Sequence, residues 1–485
     1  MNKMEKKSRM LKRQKRTINV LVLMSVLFIT LIGYITYFEL FGKENIMASS
    51  YNRRQWARED KVLRGTIFDR KGVALAQSEM AGEKQIRSYP FGALYSHVIG
   101  YNSVSYGKTQ LESKYNDQLS NINPLNPVTD LRDKITGTKS VGNNLYLTLD
   151  HQLGKRASEL LGNRNGAVVA LQPQTGEVLA LVSKPDFDPN NESLNENWSE
   201  LIESEENPLL PRATQGLYVP GSTFKVAVSL KALETGLAME NFNDQGSVII
   251  DGKKIGNHGG TAHGILDLER ALAVSSNTYF ASLGVELGEG HLEDLAQEVG
   301  LGKSIPFDIP VSTSRFSYQS MSETDQAAVA IGQGKILVSP LQMAMITAGI
   351  ANHGLVMKPY LVDKVISANG FVVKRQEPNV FYRLAEAEYA DRVKEMMLTV
   401  VDRGTGSNAQ IFGIGVGGKT GTAQNELSIV EDEKEHTWFI GFAPAENPQI
   451  AVAVLLEYSG STGGKQAAPI ARELMIQWLK ERGMI

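Results

Sequence analysis

Between Ile18 and Phe38 the chain reads INVLVLMSVLFITLIGYITYF, about 21 residues without a charge. At about 1.5 Å of rise per residue, a helix of that length covers the roughly 30 Å of a hydrocarbon core, so one membrane-spanning helix is predicted. The sixteen residues before it, MNKMEKKSRMLKRQKR, set a single acid, Glu5, against a crowd of lysines and arginines. Such a flank stays in the cytoplasm, which places everything after about Glu39 outside. A cleaved signal would show an apolar region of about 7–15 residues and small residues at the cut, and FELFGKENI offers no such site. The expected layout is a cytoplasmic basic tail over 1–16, an anchor over 17–39 and an extracytoplasmic remainder, in a single-pass protein of the cell membrane.

Beyond the anchor the chain divides by texture. Residues 40–145 are polar and rich in turns, with VLRGTIFDRKGVALAQ reading as a strand, a turn at Lys71-Gly72 and a second strand, so a small membrane-proximal pedestal domain is expected. A larger domain over 146–485 opens with NLYLTLDHQL and then GAVVALQPQTGEVLALVS, two apolar strands around a tight turn at Gln174-Thr175-Gly176. The acidic residues 186–211, punctuated by Asn and Pro, read as an exposed loop. Helical spacing begins after Ser222 and recurs in LDLERALAVSSNTYFASLGVEL and SPLQMAMITAGIANHG. Strands return in GIGVGGKTGTAQ, HTWFIGFAP and QIAVAVLLEY, and a helix over 467–480 closes the chain with Ile470, Leu474 and Trp478 on one face. Strands at both ends with helices between imply an α+β fold in which the first hairpin joins the last strands in one antiparallel sheet.

The net charge of −3 and pI near 6.2 supply no basic field for nucleic acid. With no cysteine in 485 residues, disulfides, thiol catalysis and Cys-ligated metal are excluded.

In LYVPGSTFKV, Pro220 and Gly221 force a turn, which places Ser222 at the first turn of a buried helix, where the helix dipole favours developing negative charge. Lys225 comes one turn later on the same face, so its amine can reach the serine oxygen. Burial favours neutral lysine, and a neutral amine can take a proton from a hydroxyl. The spacing alone is weak, because Ser105 and Lys108 share it in polar, Gly-containing sequence with no helix to fix the pair. Two further clusters add weight. Ser275-Ser276-Asn277 lies inside an apolar helical context that disfavours hydroxyl and carboxamide side chains, although Ser193–Asn195 and Ser367–Asn369 repeat the pattern elsewhere. Lys419, Thr420, Gly421 and Thr422 lie on a Gly-flanked strand whose bared backbone suits pairing with a peptide; the bland alternative is an edge strand guarded by lysine. The histidines form no HExxH, and His258 with His263 in NHGGTAHG reads as a loop, so no metal or cofactor is expected.

Taken in the order Ser-x-x-Lys, Ser-x-Asn, Lys-Thr-Gly, these clusters resemble the penicillin-binding proteins and serine β-lactamases. RGTIFDRKGVALA, YVPGSTFK, IGQGKILVSPLQMA, DRGTGS, TWFIGFAP and AAPIAREL extend the resemblance to class B, monofunctional transpeptidases, and the short front end with YPFGALYSHVIGY is similar to the small PbpA-type members. Pro211, where Asn commonly precedes the arginine, and Ser339, where Thr is common, depart from the pattern without touching the triplets. The resemblance implies the transpeptidase fold, an antiparallel sheet flanked by helices with a helical subdomain. It also implies that Ser222 attacks a D-Ala-D-Ala stem peptide with Lys225 as base. Ser275 would relay a proton, Asn277 would hold the peptide amide and orient Lys225, and Lys419 would be a second cation. Thr420, Gly421 and Thr422 would bind the substrate, and the Ser222 and Thr422 N–H groups would form the oxyanion hole. β-Lactams would acylate Ser222, and a multi-pass glycosyltransferase of the FtsW/RodA kind would be the partner.

A β-lactamase would need a deacylating base, and no Glu-x-x-Leu-Asn element is present. A D,D-carboxypeptidase differs only in using water as acceptor. About 105 residues between anchor and hairpin are too few for a glycosyltransferase. A drug sensor would be expected to carry a cytoplasmic module larger than the basic tail, and a scaffold would not need Ser222.

Overall fold

The structure, a computed structural model, describes residues 3–38, 56, 59, 62–82, 84–121, 141–423 and 435–485. Most of 40–61 and all of 122–140, inside the expected pedestal, lie outside the described residues, as does the anchor's end at Glu39.

The chain falls into two compact units. The smaller comprises Met1–Asp60 with Ser103–Lys108. Its main element is a helix, Lys3–Tyr37, so the basic tail and apolar run are continuous. The stretch Gln14–Tyr37, 24 residues of mean hydropathy 2.4 with none of it buried, is long and apolar enough to cross a membrane. Lys108 belongs to this unit: its amine lies 3.8 Å from the Trp56 ring centroid and 2.9 Å from Glu59 Oε2, which gives the Ser105-x-x-Lys108 repeat a structural explanation.

The larger unit holds two principal sheets. One has six strands in the order Val372–Arg375, Val362–Ile366, Asn144–Leu147, Ile67–Phe68, Ala74–Ala81, Lys84–Ser88. The turn between Ile67–Phe68 and Ala74–Ala81 is made by Asp69, whose carboxylate accepts the Lys71 and Val73 N–H groups at 2.8 Å, with Gly72 at φ 86°. Behind it, the buried Glu112 carboxylate receives Arg64 Nε at 2.6 Å and Arg87 Nε at 2.7 Å. Burial opposes its charge, but the two guanidiniums outweigh that and hold the carboxyl below the ordinary range.

The second sheet runs Gly417–Ala423, His436–Ala443, Ile450–Leu456, Gly166–Leu171, Val178–Lys184, each antiparallel to the next. The opening hairpin thus joins the closing strands as expected. Its strands are apolar on both faces because both are covered. Val168, Ala170, Val452 and Val454 pack with Leu153, Leu474 and Trp478 from the helices His151–Leu161 and Gly463–Glu481. The alternate residues Val169, Leu171, Ala453 and Leu455 share a core with Leu341 and Met345 of Pro340–Ala351, a helix with every residue buried. Each large side chain so enclosed contributes about 1.5–3 kcal/mol. Ser339 caps this helix by accepting the Gln342 N–H at 3.1 Å, a bond that either Ser or Thr can make.

Two expectations need correction. Residues 186–211 are not simply a loop: Asn191–Glu203 is a helix whose Leu194 is buried and whose Trp198 meets Tyr101 edge-on at 6.0 Å. Its few apolar residues, Leu194, Trp198, Leu201 and Ile202, keep helical spacing, but the acids between them mask it. Nor does Ser275-Ser276-Asn277 lie within a helix. The helix Leu268–Val274 ends at Ser275, in the left-handed region at φ 59°, and Ser276 caps the next, Asn277–Glu298, by accepting the Tyr279 N–H at 3.1 Å.

Candidate active site

Ser222 lies in a single turn of 3₁₀ helix, Gly221–Phe224, that runs into the helix Lys225–Thr235. Backbone donors in a first turn have no helical partner, so the Ser222 N–H is available to the cleft. The turn is pressed against the strand Gly417–Ala423. At Gly221, with φ 54°, a Cβ would come 2.6 Å from Thr422 O, and at Gly421 one would come 2.9 Å from Thr223 Cγ2. Only glycine at both places permits this approach. Trp438 on the neighbouring strand secures the segment, its indole N–H donating to Val219 O at 3.1 Å.

Lys225 has no exposed surface. Its Nζ donates to Asn277 Oδ1 at 2.7 Å and to Ser275 O at 2.9 Å, with Ser275 Oγ at 3.5 Å. The break at Ser275 makes this possible, because its left-handed backbone turns a carbonyl out of the helix toward the amine. None of these bonds runs to Ser222 Oγ, contrary to the simplest reading of the Ser-x-x-Lys spacing. Two carbonyl acceptors engage both hydrogens of an uncharged amine and leave its lone pair for an incoming donor. Burial, and then the charge of Lys419, draws Lys225 well below the ordinary lysine range.

Lys419 is equally buried, and burial draws its amine down to about 7. It donates to Ser275 Oγ at 2.9 Å and to Thr420 O at 2.9 Å. The Ser275 hydroxyl therefore sits between two lysines. Thr420 and Thr422 share one face of their strand and, with Gly421, line a cleft of about 840 Å³ together with Ser222, Ser275 and Asn277. The cleft gathers every residue expected from sequence except the two lysines, which lie directly beneath its wall. His258 and His263 line its rim.

Other residues of this wall carried no readable signal of a role. Thr405 Oγ1 lies 2.7 Å from Thr420 Oγ1, and its N–H donates to Ala273 O at 3.1 Å, tying DRGTGS to the end of the helix before Ser275. Asp244, at the end of the strand Phe242–Asp244, and Asn257, directly after the strand Lys253–Gly256, reach the Ser275–Asn277 turn; only the folded chain brings them there.

Comparison with known proteins agrees with this geometry. Residues 166–476 match the family described as the penicillin binding protein transpeptidase domain, and residues 64–145 the penicillin binding protein A dimerisation domain. The chain is 32% identical to the peptidoglycan D,D-transpeptidase PbpA of Mycolicibacterium smegmatis, over 95% of this chain and 98% of that one. It is 33% identical to the peptidoglycan D,D-transpeptidase MrdA of Acinetobacter baumannii over 82% of this chain, and the match spans 66% of that protein. Among solved structures, the ceftriaxone acyl-enzyme complex of penicillin-binding protein A from Mycobacterium tuberculosis superposes with a TM-score of 0.81 at 31% identity, over 86% of this chain and 98% of that one. The chain belongs to the penicillin-binding protein transpeptidases, as a small PbpA-like member.

Proposed function

We infer that this protein is a serine D,D-transpeptidase that cross-links peptidoglycan stem peptides and is acylated by β-lactams. The observation that carries this reading is the buried Lys225 amine, held by Ser275 O and Asn277 Oδ1 beneath the cleft that contains Ser222. Ser222 Oγ attacks the carbonyl of the penultimate D-Ala while Lys225 accepts its proton. The tetrahedral oxygen is met by the Ser222 and Thr422 N–H groups, donors typically worth about 2.7–4 kcal/mol each. Ser275, between the two amines, passes a proton to the departing D-Ala nitrogen as the C–N bond breaks, leaving the ester on Ser222. An amine from a second stem peptide then attacks that ester, loses its proton to the same relay and returns Ser222 as the hydroxyl. Thr420 and Thr422 bind the terminal carboxylate with Lys419 as a cation behind them, and Asn277 holds the peptide amide.

Around this centre, residues 40–145 serve as the pedestal and 146–485 as the catalytic domain. The apolar helix is a single-pass anchor with its basic end in the cytoplasm and the cleft outside. The protein works beside a multi-pass membrane glycosyltransferase of the FtsW/RodA kind.

The test is product analysis by mass spectrometry with a D-Ala-D-Ala pentapeptide donor and an amine acceptor. Cross-linked dimer with release of one D-Ala supports the reading. Tetrapeptide acid as the only product would assign a carboxypeptidase instead, and normal wall cross-linking by a Ser222→Ala strain would assign a scaffold.

A further inference from the structure

Asp244 ends the strand Phe242–Asp244, and Asn257 comes directly after the strand Lys253–Gly256; neither belongs to a recognised triplet, and both are buried. Asn257 Oδ1 accepts the Asn277 N–H at 2.8 Å and the Thr278 N–H at 3.1 Å, two donors that open the helix Asn277–Glu298 and have no partner within it. Asn257 Nδ2 is oriented in turn by Asp244, with 2.8 Å to each carboxylate oxygen, and by Thr261 O at 2.8 Å. Asp244 Oδ2 also receives the Ser276 hydroxyl at 2.7 Å, and Oδ1 the Gly246 N–H at 2.8 Å. The adjoining Gly256 O accepts Asn277 Nδ2 at 2.9 Å. One loop therefore holds Asn277 at its backbone and at its carboxamide nitrogen. With the nitrogen fixed, Oδ1 must face Lys225.

We propose that Asp244 and Asn257 are positioning residues for acylation, which hold Ser275 and Asn277 in the one arrangement that presents Ser275 O and Asn277 Oδ1 to Lys225. Burial disfavours the Asp244 charge, but bonds from Ser276, Gly246 and Asn257 prevail and keep the carboxyl below its ordinary range, so it is an acceptor at neutral pH. Both oxygens must accept, because Oδ2 takes the Ser276 hydroxyl and Asn257 Nδ2 while Oδ1 takes the Gly246 N–H and Asn257 Nδ2. An amide at 244 sets its NH2 against either the Ser276 hydroxyl or the Gly246 N–H. The carboxylate thus selects the rotamer of Asn257, and Asn257 selects the register of the turn.

The proposal rests on Ser222 being the acylated residue, and the test separates the two. Stopped-flow acylation by a fluorescent penicillin yields the acylation rate constant and the pre-covalent affinity separately, for wild type, Asp244→Asn, Asn257→Asp and the exchange variant carrying both. We expect each single variant to lose about 10- to 100-fold in rate constant with affinity within about threefold. In the exchange variant a carboxylate oxygen at 257 faces Thr261 O, and the amide at 244 keeps one acceptor for the Gly246 and Ser276 donors, so it should stay as slow as the single variants. Single or exchange variants that acylate within about threefold of wild type would overturn the proposal. If these variants do not fold, as read from thermal melts, a folded Asn257→Ser variant, which adds no charge, decides alone: below about a third of the wild-type rate constant it supports the proposal, and above that it contradicts it. Failure of wild type to label would instead strike the reading of Ser222.

Discussion

Lys225 Nζ donates to Asn277 Oδ1 over 2.7 Å across a sequence separation of 52 residues, a bond that ties the helix Lys225–Thr235, which follows the Ser222 turn, to the first residue of Asn277–Glu298. Replacing the carboxamide by a carboxylate keeps the geometry and adds a charge. A carboxylate within about 4–6 Å raises a lysine pKa by about 1–3 units. For Asn277→Asp we predict that the acidic limb of the acylation rate moves to higher pH and that the rate at pH 7 falls by about tenfold or more. Stopped-flow rates between pH 5 and 9 measure both; a limb that stays in place would argue against Lys225 as the base.

In the proposed mechanism the two lysines titrate in opposite roles, Lys225 as a base and Lys419 as a cation. Lys225 must be neutral to accept a proton, and burial beside Lys419 lowers its pKa, so its active form grows as pH rises through that lowered value. Lys419 acts as a cation, and its charge is lost as pH rises through about 7. Acylation should therefore follow a bell whose descending limb lies near 7. In Lys419→Arg, which stays protonated, the descending limb should vanish although the plateau is lower. A descending limb unchanged by the substitution would assign it to another group.

Glu112, buried between Arg64 and Arg87, is the corresponding test of the front sheet. Breaking a buried pair leaves uncompensated charge and costs about 3–5 kcal/mol, so Glu112→Ala should lower denaturant stability by that order at pH 7. Because the folded carboxyl is depressed, its stabilisation is complete above the unfolded value near 4.5 and is lost as pH falls through the lower, folded one. The gap between wild type and variant should thus narrow on acidification. Equal gaps at pH 7 and pH 3 would show that packing, not charge, is responsible.

At Gly421, a methyl would meet Thr223 Cγ2 at 2.9 Å and Pro220 O at 3.2 Å. Gly421→Ala should push the Ser222 turn off its strand and slow acylation by about 10- to 100-fold, the order expected of a misplacement near 1 Å. The paired change Gly421→Ala with Thr223→Ser, which removes the closer atom, should recover part of the rate.

Features fixed by local sequence were legible. Ser222 and Lys225 announce themselves by spacing and by the Pro-Gly before them, and the doubly apolar strands reflect the need to bury both faces. The break at Ser275 was not legible, because apolar spacing continues on either side and the left-handed residue is a serine rather than a glycine. The helix Asn191–Glu203 was hidden by its acids. Asp244 meets Ser276 from 32 residues away. Lys225 pairing with Asn277 rather than with Ser222 is likewise a tertiary fact, set by where the chain returns and not by the spacing of the motif.

In the proposed mechanism the buried Lys225 amine, by accepting a proton, is what makes Ser222 the nucleophile. Intact-protein and peptide mass spectrometry after incubation with benzylpenicillin probes that dependence on wild type, Ser222→Ala and Lys225→Met. We predict one penicilloyl adduct on the peptide containing Ser222 in wild type, none in Ser222→Ala, and at least a 10³-fold slower appearance in folded Lys225→Met. An adduct on another residue, or one that forms at the wild-type rate without the Lys225 amine, would contradict this mechanism.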